Sequence, residues 1–439
     1  MQIIFMTPGS GDNFYCENCL RDKAVIMALR AAGHDALSVP LYLPPVMQDT
    51  RAPTDVPIFF GGINVFLQQH LRLFRRTPRW VDRLLDSRWL LRLAARRAGA
   101  TAPAELAQMT LSMLQGEDGR QAKELDRLVE FLRTDTLPDV VVLSNALLLG
   151  IARRVKQALG CALVCMLQDE HEFVDSLPDG AAADAWELMR DRAREVDAFV
   201  AGSRYYADLM AGRLALAPDR VRVVYNGMDP VGYAPARKPP DPPVIGYLSR
   251  LYPDKGLDLL AEAFVRLKAA PALGDLRLVI AGGSTGADTR FVKSVRRILA
   301  RAGVLDHVRW LDDFDHDAKR LFLPTFSLMC VPDRVGAASG MFVVESLLAG
   351  VPVVEPAAGV FPELVELTGG GVLFQPGSVD DMTGKLEALL ADPSRARRLG
   401  RAGRDAALKH FTAKEAAGKL ADLFDSLTPP PPAENQNRR

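Results

Sequence analysis

The stretch "PVIGYLSRLYPDKGLDLLAEAF", residues 243–264, reads as one strand, one turn and one helix. The apolar run 243–249 has the length and the unbroken hydrophobicity of a strand in a parallel sheet. Arg250 follows it directly, and Lys255 sits in a Pro-Asp-Lys-Gly turn that opens the helix. Two fixed cations beside a helix N-terminus suit a diphosphate, because each strengthens the other's pull on phosphate oxygens. The competing reading is a solvated turn with incidental charges, and the flanking segments favour the first.

Outward from this unit the alternation repeats. On the C-terminal side the apolar runs are 276–282, 308–311, 326–331, 351–356 and 371–374. On the N-terminal side they are 2–6, 36–41, 139–144, 162–167, 198–203 and 221–226. Strands alternating with helical patterns predict an α/β protein built on parallel sheets. With 439 residues the chain is too long for one ordinary core, so more than one domain is expected. Prolines at 235, 239, 240, 242 and 243 mark a stiff linker. The expected domains are 1–234 and 244–412, joined by 235–243, with a closing helix over 413–427 and a disordered tail over 428–439. A helix-rich insertion, about 44–134, interrupts the first domain.

Composition removes several classes of function. Lys plus Arg and Asp plus Glu both total 54, so no global charge argues for nucleic acid. No run of about 18 uncharged apolar residues predicts a spanning helix, and the N-terminus has no signal-peptide pattern. Cys161, Cys165 and Cys330 fall in strand-like runs as small hydrophobes, and a cytoplasmic setting fits. Cys16 and Cys19 form a C-x-x-C without a second pair, so packing is favoured over a metal or redox role. "TPGSGDNF" (7–14) lacks the third glycine of a dinucleotide fingerprint, which disfavours a nicotinamide enzyme.

Five segments, "VYNGMD", "SRLYPDKG", "GMFVVESLLAGVPVV", "FPELVE" and "GGGVLFQPGSVDDM", occur in one order along the second half. Together they resemble the retaining glycosyltransferases of family 4. The resemblance implies a GT-B architecture, two Rossmann-like doubly wound parallel-sheet domains facing each other across a cleft that holds a nucleotide-sugar. It implies that Arg250 and Lys255 clamp the donor diphosphate. The main chain of Ser339, Gly340, Met341 and Phe342 would face the phosphates or the sugar, and Glu345 the ribose hydroxyls. Gly9 and Gly11 would let the backbone approach a ligand. In "CMLQDEHEFVDSLP" (165–178) His171 is the candidate for a contact near the anomeric carbon, with Asp169 or Glu170 as alternatives.

The family pattern places a first glutamate eight positions before Glu345, and here that position is Ala337. Asp333, on a different turn of the loop, is the nearest acid that could substitute. The implied reaction is metal-independent front-face transfer from a nucleoside-diphosphate sugar to an acceptor hydroxyl, with no further cofactor and no metal triplet. The alternatives are a non-catalytic nucleotide-sugar binder, motivated by Ala337, and an epimerase or hydrolase acting on the donor alone. The acceptor (glycan, lipid-linked or small molecule) is not readable. Between 71 and 97 nine arginines face two aspartates with Trp80 and Trp89 interleaved. A cap packed on the sheet is the favoured reading of that stretch, and peripheral contact with an anionic membrane the other.

Overall fold

The computed structural model describes residues 1–8, 17–41, 103–178, 180–311 and 316–428. Gly9, Gly11, Cys16, the basic stretch 71–97 and the tail from 429 lie outside the described residues.

The chain forms two compact units. The first carries a six-stranded parallel sheet in the order β2-β1-β3-β4-β5-β6. Its strands are β1 (Gln2–Thr7), β2 (Asp35–Pro40), β3 (Val140–Leu143), β4 (Ala162–Leu167), β5 (Ala198–Ala201) and β6 (Val221–Val223). β3, β4 and β5 are buried at every position, which is why they read as unbroken apolar runs. The last helix, Ala413–Leu427, contributes Ala416, Ala417, Leu420 and Phe424 to the core of this unit, beside Ile3, Phe5 and Val142. Its N-terminus is capped by Thr412, whose Oγ1 accepts the Glu415 N–H at 3.2 Å.

The second unit carries another six-stranded parallel sheet, in the order β12-β11-β10-β7-β8-β9. The strands are β7 (Val244–Leu248), β8 (Arg277–Ala281), β9 (Val308–Leu311), β10 (Leu328–Met329), β11 (Val353–Pro356) and β12 (Gly371–Phe374). The chain winds outward from β7 through β8 to β9, then returns to the other side of β7 at β10. The reversal lies between β7 and β10, paired as Leu328 with Ile245 and Met329 with Gly246. In open α/β sheets ligands bind beyond the carboxyl ends of the strands at such a reversal.

The twelve strands of the described residues fall where the apolar runs predict. The division into units differs from expectation. The second unit takes in Ser203–Tyr206 and Tyr225–Glu415, so its main boundary lies at 224/225 instead of within 235–243, and the chain over 416–428 returns to the first unit. The cause is packing. Met228 and Tyr233 are buried in the second core, and Met228 bridges Thr412 there. The proline-rich run is therefore part of the second unit.

Candidate functional site

The carboxyl end of β7 delivers Ser249 and Arg250, and the turn 253–255 leads into the helix Leu257–Lys268. Gly256 sits at φ +66°, and a Cβ there would lie 2.0 Å from the Pro332 carbonyl oxygen. Only glycine allows the turn after β7 to lie this close to the segment after β10.

That close approach brings Lys255 to Asp333. Lys255 Nζ donates to Asp333 Oδ2 at 2.5 Å, while Asp333 Oδ1 accepts the Val335 and Gly336 N–H groups, both at 2.9 Å. The Asp333 side chain is fully buried and Lys255 is 14% exposed. Arg250, 47% exposed, donates to Asp288 Oδ2 at 3.4 Å. Burial opposes charge on Asp288, but hydrogen bonds from Thr285 and the Arg250 guanidinium outweigh it and hold the carboxyl below its ordinary range. The Tyr252 ring lies 5.0 Å from the Arg250 guanidinium and 5.8 Å from Lys255 Nζ. One aromatic ring thus lies near both cations.

The segment after β10 runs from Asp333 to the helix Met341–Leu348. Arg334 holds this segment by a two-pronged pair with Asp258, at 2.9 and 2.8 Å. Gly340 precedes the helix at φ +60°, and a Cβ there would crowd Leu364 Cδ1 at 2.9 Å. Met341 and Phe342 open the helix, and N–H groups in a first turn have no partner within the helix. Ala337, in place of the first acid of the family pattern, is buried, and its carbonyl accepts the Val360 N–H at 3.1 Å. Lys255 and two backbone N–H groups engage both oxygens of Asp333, the acid that the sequence offered as a substitute.

Glu345 is placed differently from the expectation that it faces a ribose. Its side chain is 0% exposed, and Oε1 accepts from Tyr233 Oη at 3.0 Å and from Lys319 Nζ. Lys319, itself fully buried, lies on the helix His316–Phe322. Burial, and then the Glu345 carboxylate, push the Tyr233 phenol far above its ordinary range.

Glu363 is a further buried carboxylate that the sequence did not single out. Within the second unit it accepts the Arg204 and Tyr205 N–H groups at 3.0 Å each and the Tyr225 hydroxyl at 2.7 Å. Burial and then Glu363 push the Tyr225 phenol up to about 12.

In the first unit, β4 leads through Asp169, at φ +52°, into the helix Glu170–Asp175. His171 is buried on that helix. Glu170 accepts the Ala146 N–H at 2.7 Å and the Gln168 N–H at 2.6 Å, tying the segments after β3 and β4 together.

The sequence matches the family descriptions "Glycosyltransferase Family 4" over residues 60–231 and "Glycosyl transferases group 1" over residues 234–406. It is 32% identical, over 42% of its length and 48% of the relative's, to a GDP-mannose-dependent alpha-(1-6)-phosphatidylinositol monomannoside mannosyltransferase of Mycolicibacterium smegmatis. It is 29% identical, over 52% of its length and 54% of the relative's, to a D-inositol 3-phosphate glycosyltransferase of Stackebrandtia nassauensis. The chain thus spans about half the length of the curated relatives it matches. Among solved structures it is similar to Anabaena HepE in complex with UDP, at TM-score 0.67 and 19% identity over 97% of this chain and 100% of that one. It is also similar to a sucrose-phosphate synthase from Thermosynechococcus elongatus, at TM-score 0.69 and 16% identity over 97% and 99% of the two chains. At such identities the likeness speaks for the fold, which is GT-B.

Proposed function

We propose that this chain, which belongs to glycosyltransferase family 4, transfers a sugar from a nucleoside-diphosphate sugar to an acceptor hydroxyl. The observation that carries this reading is the placement of two anchored cations, Arg250 and Lys255, just beyond β7 where the second sheet reverses. A diphosphate there meets two charges already held in position, so little ordering remains to be done on binding.

The chemistry follows from that placement. The bond between the anomeric carbon and the diphosphate oxygen breaks while Arg250 and Lys255 offset the charge growing on the leaving group. The acceptor oxygen bonds to the same face of the sugar, and its proton passes to a leaving diphosphate oxygen. Attack on the face of departure retains the anomeric configuration. The opening N–H groups of the helix Met341–Leu348 add dipolar stabilisation. In this scheme the two cations offset the charge without a metal, and no cofactor beyond the donor takes part. His171 is assigned to a sugar hydroxyl in the first unit, and Ser339, Gly340, Met341 and Phe342 to the donor. Glu345 is reassigned to holding its helix through Lys319.

The two relatives suggest GDP-mannose as the first donor to try and a lipid-linked glycan or an inositol phosphate as the acceptor. No helix among the described residues is long and apolar enough to cross a membrane. We place the chain in the cytoplasm, a reading supported by the free thiols Cys161, Cys165 and Cys330, with the basic stretch 71–97 as a contact to an anionic membrane face.

The test is a thermal-shift panel of uridine, guanosine and adenosine diphosphate sugars on the wild type and on Arg250→Ala, followed by product analysis with the donor that shifts. Ligand binding to the native state raises its melting temperature by mass action. A shift in the wild type that Arg250→Ala abolishes is the expected result. An equal shift in both removes Arg250 from the site, and donor binding without product across a wide acceptor panel turns the reading into a binding protein.

A further inference from the structure

Behind the Lys255–Asp333 pair lies a carboxyl group that the proposed chemistry does not use. Glu355, in β11, has no solvent exposure. Its Oε1 accepts a single N–H, from Val331, at 3.3 Å, and its Oε2 has no hydrogen-bond partner. An ionised carboxylate needs far more than one long N–H bond to remain charged out of water. A neutral carboxylic acid needs much less, and carries one hydrogen it can donate.

The charges around it act in the same direction. The titratable groups that act on or feel Glu355 are Asp333 and the Cys330 thiol, both on the segment after β10. Beyond Asp333 lie Lys255 from the turn after β7 and the buried Tyr247 phenol of β7. Burial pushes the Glu355 carboxyl well above the carboxylate range. The Val331 N–H opposes that shift, and the negative charge of Asp333 adds to it. Burial, with Glu355 as a further cause, likewise pushes the Cys330 thiol up.

We propose that Glu355 is a positioning residue that sets the net charge of the diphosphate cradle, an inference that rests on the donor site proposed above. Uncharged, it leaves the Lys255–Asp333 and Arg250–Asp288 pairs neutral on balance, so an arriving diphosphate meets no net negative charge. Ionised, it would add one uncompensated negative charge on the Asp333 side and turn the cluster anionic. The donor would then be held in one protonation state of the cradle and repelled in the other.

The experiment is calorimetric titration of UDP and GDP into wild type and Glu355→Gln at fixed ionic strength, from about pH 6.5 to about pH 9.5. Near neutrality the two proteins should bind within about twofold of each other. Toward the alkaline end the wild type should lose about tenfold more affinity than the variant, the scale of one nearby like charge. Repeated in two buffers of different ionisation enthalpy, alkaline binding by the wild type should take up about one proton, and binding by the variant should not. Parallel pH profiles, or equal weakening of the variant at every pH, overturn the inference. If Glu355→Gln does not fold, proton uptake by the wild type decides alone, and its absence overturns the inference. Failure of the wild type to bind either nucleotide at any pH instead overturns the donor site itself.

Discussion

Among the described residues, two lysines of the second unit are paired with acids that have no exposure, Lys255 with Asp333 and Lys319 with Glu345. Both join a cation to a fully buried acid, yet they differ in what surrounds them. Asp333 has two backbone N–H groups besides its lysine, and that lysine keeps 14% of its side chain exposed. Lys319 and Glu345 have no exposure at all, and the Tyr233 hydroxyl shares the same carboxylate oxygen as the lysine. The first pair can offer its cation to an incoming anion while its acid stays satisfied. The second could engage a ligand only by giving up an internal contact. Residual exposure, more than a motif, separates a site pair from a structural one.

The largest expected effect comes from breaking the buried pair. Lys319→Ala removes the cation from a buried Glu345 carboxylate, a loss on the order of 3–5 kcal/mol. At about 2–4 °C per kcal/mol, calorimetry should show melting of the second unit lowered by roughly 10 °C. A change under about 2 °C would mean that Glu345 is not held as described, and would return it to the list of donor contacts. The exposed pair should respond in the opposite sense. Lys255→Ala should cost less stability, because Asp333 keeps its two backbone donors. It should lower turnover by about 10²–10³-fold, the scale of removing one preorganised group from a developing charge. Initial rates with a saturating donor and the melting temperature, measured on one preparation, separate the two classes.

The same contrast explains what the sequence could reveal. Strands such as β3 and β4 were legible because a parallel strand buried on both faces is an unbroken apolar run whatever its neighbours are. Arg250 and Lys255 were legible because a cation just past a strand end is a local feature. Their partners were not. Asp288 lies 38 positions from Arg250 and Asp333 lies 78 positions from Lys255, so only the winding order brings them together. Glu345 shows the cost of reading an acid without its partner, since Lys319, 26 positions earlier, has no local signature as its mate. The unit boundary misled for a related reason. Dense prolines announce stiffness, but not which core the stiff segment lies against.

Glu355 extends the contrast to a third buried acid, one without a cation. Its carboxyl is held above the ordinary range in the folded chain, by burial first. A group shifted in this direction contributes stability that is fully present below its unfolded value, about 4.3, and lost as pH rises through the folded value. Glu355→Gln removes the ionisable proton while keeping shape and hydrogen-bonding capacity. The melting temperature of the variant relative to wild type should therefore rise steadily with pH from about pH 5 upward. A difference that stays flat with pH would show that Glu355 is ionised in the fold and has a partner.

The smallest effect separates the two cations from the ring beside them. Tyr252 lies 5.0 Å from the Arg250 guanidinium and 5.8 Å from Lys255 Nζ, and a cation over a partly exposed aromatic face gains about 0.5–1 kcal/mol. Tyr252→Leu should weaken nucleoside-diphosphate binding by about 2–10-fold, since both side chains lose a surface that orders them before the ligand arrives. Tyr252→Phe keeps the ring and should restore nearly all of the affinity. If Leu and Phe weaken binding alike, the hydroxyl matters instead of the ring face, and the ring does not order the two cations. If neither weakens it, the cradle gains nothing from the aromatic, and its preorganisation lies wholly in the ion pairs on the two strand ends.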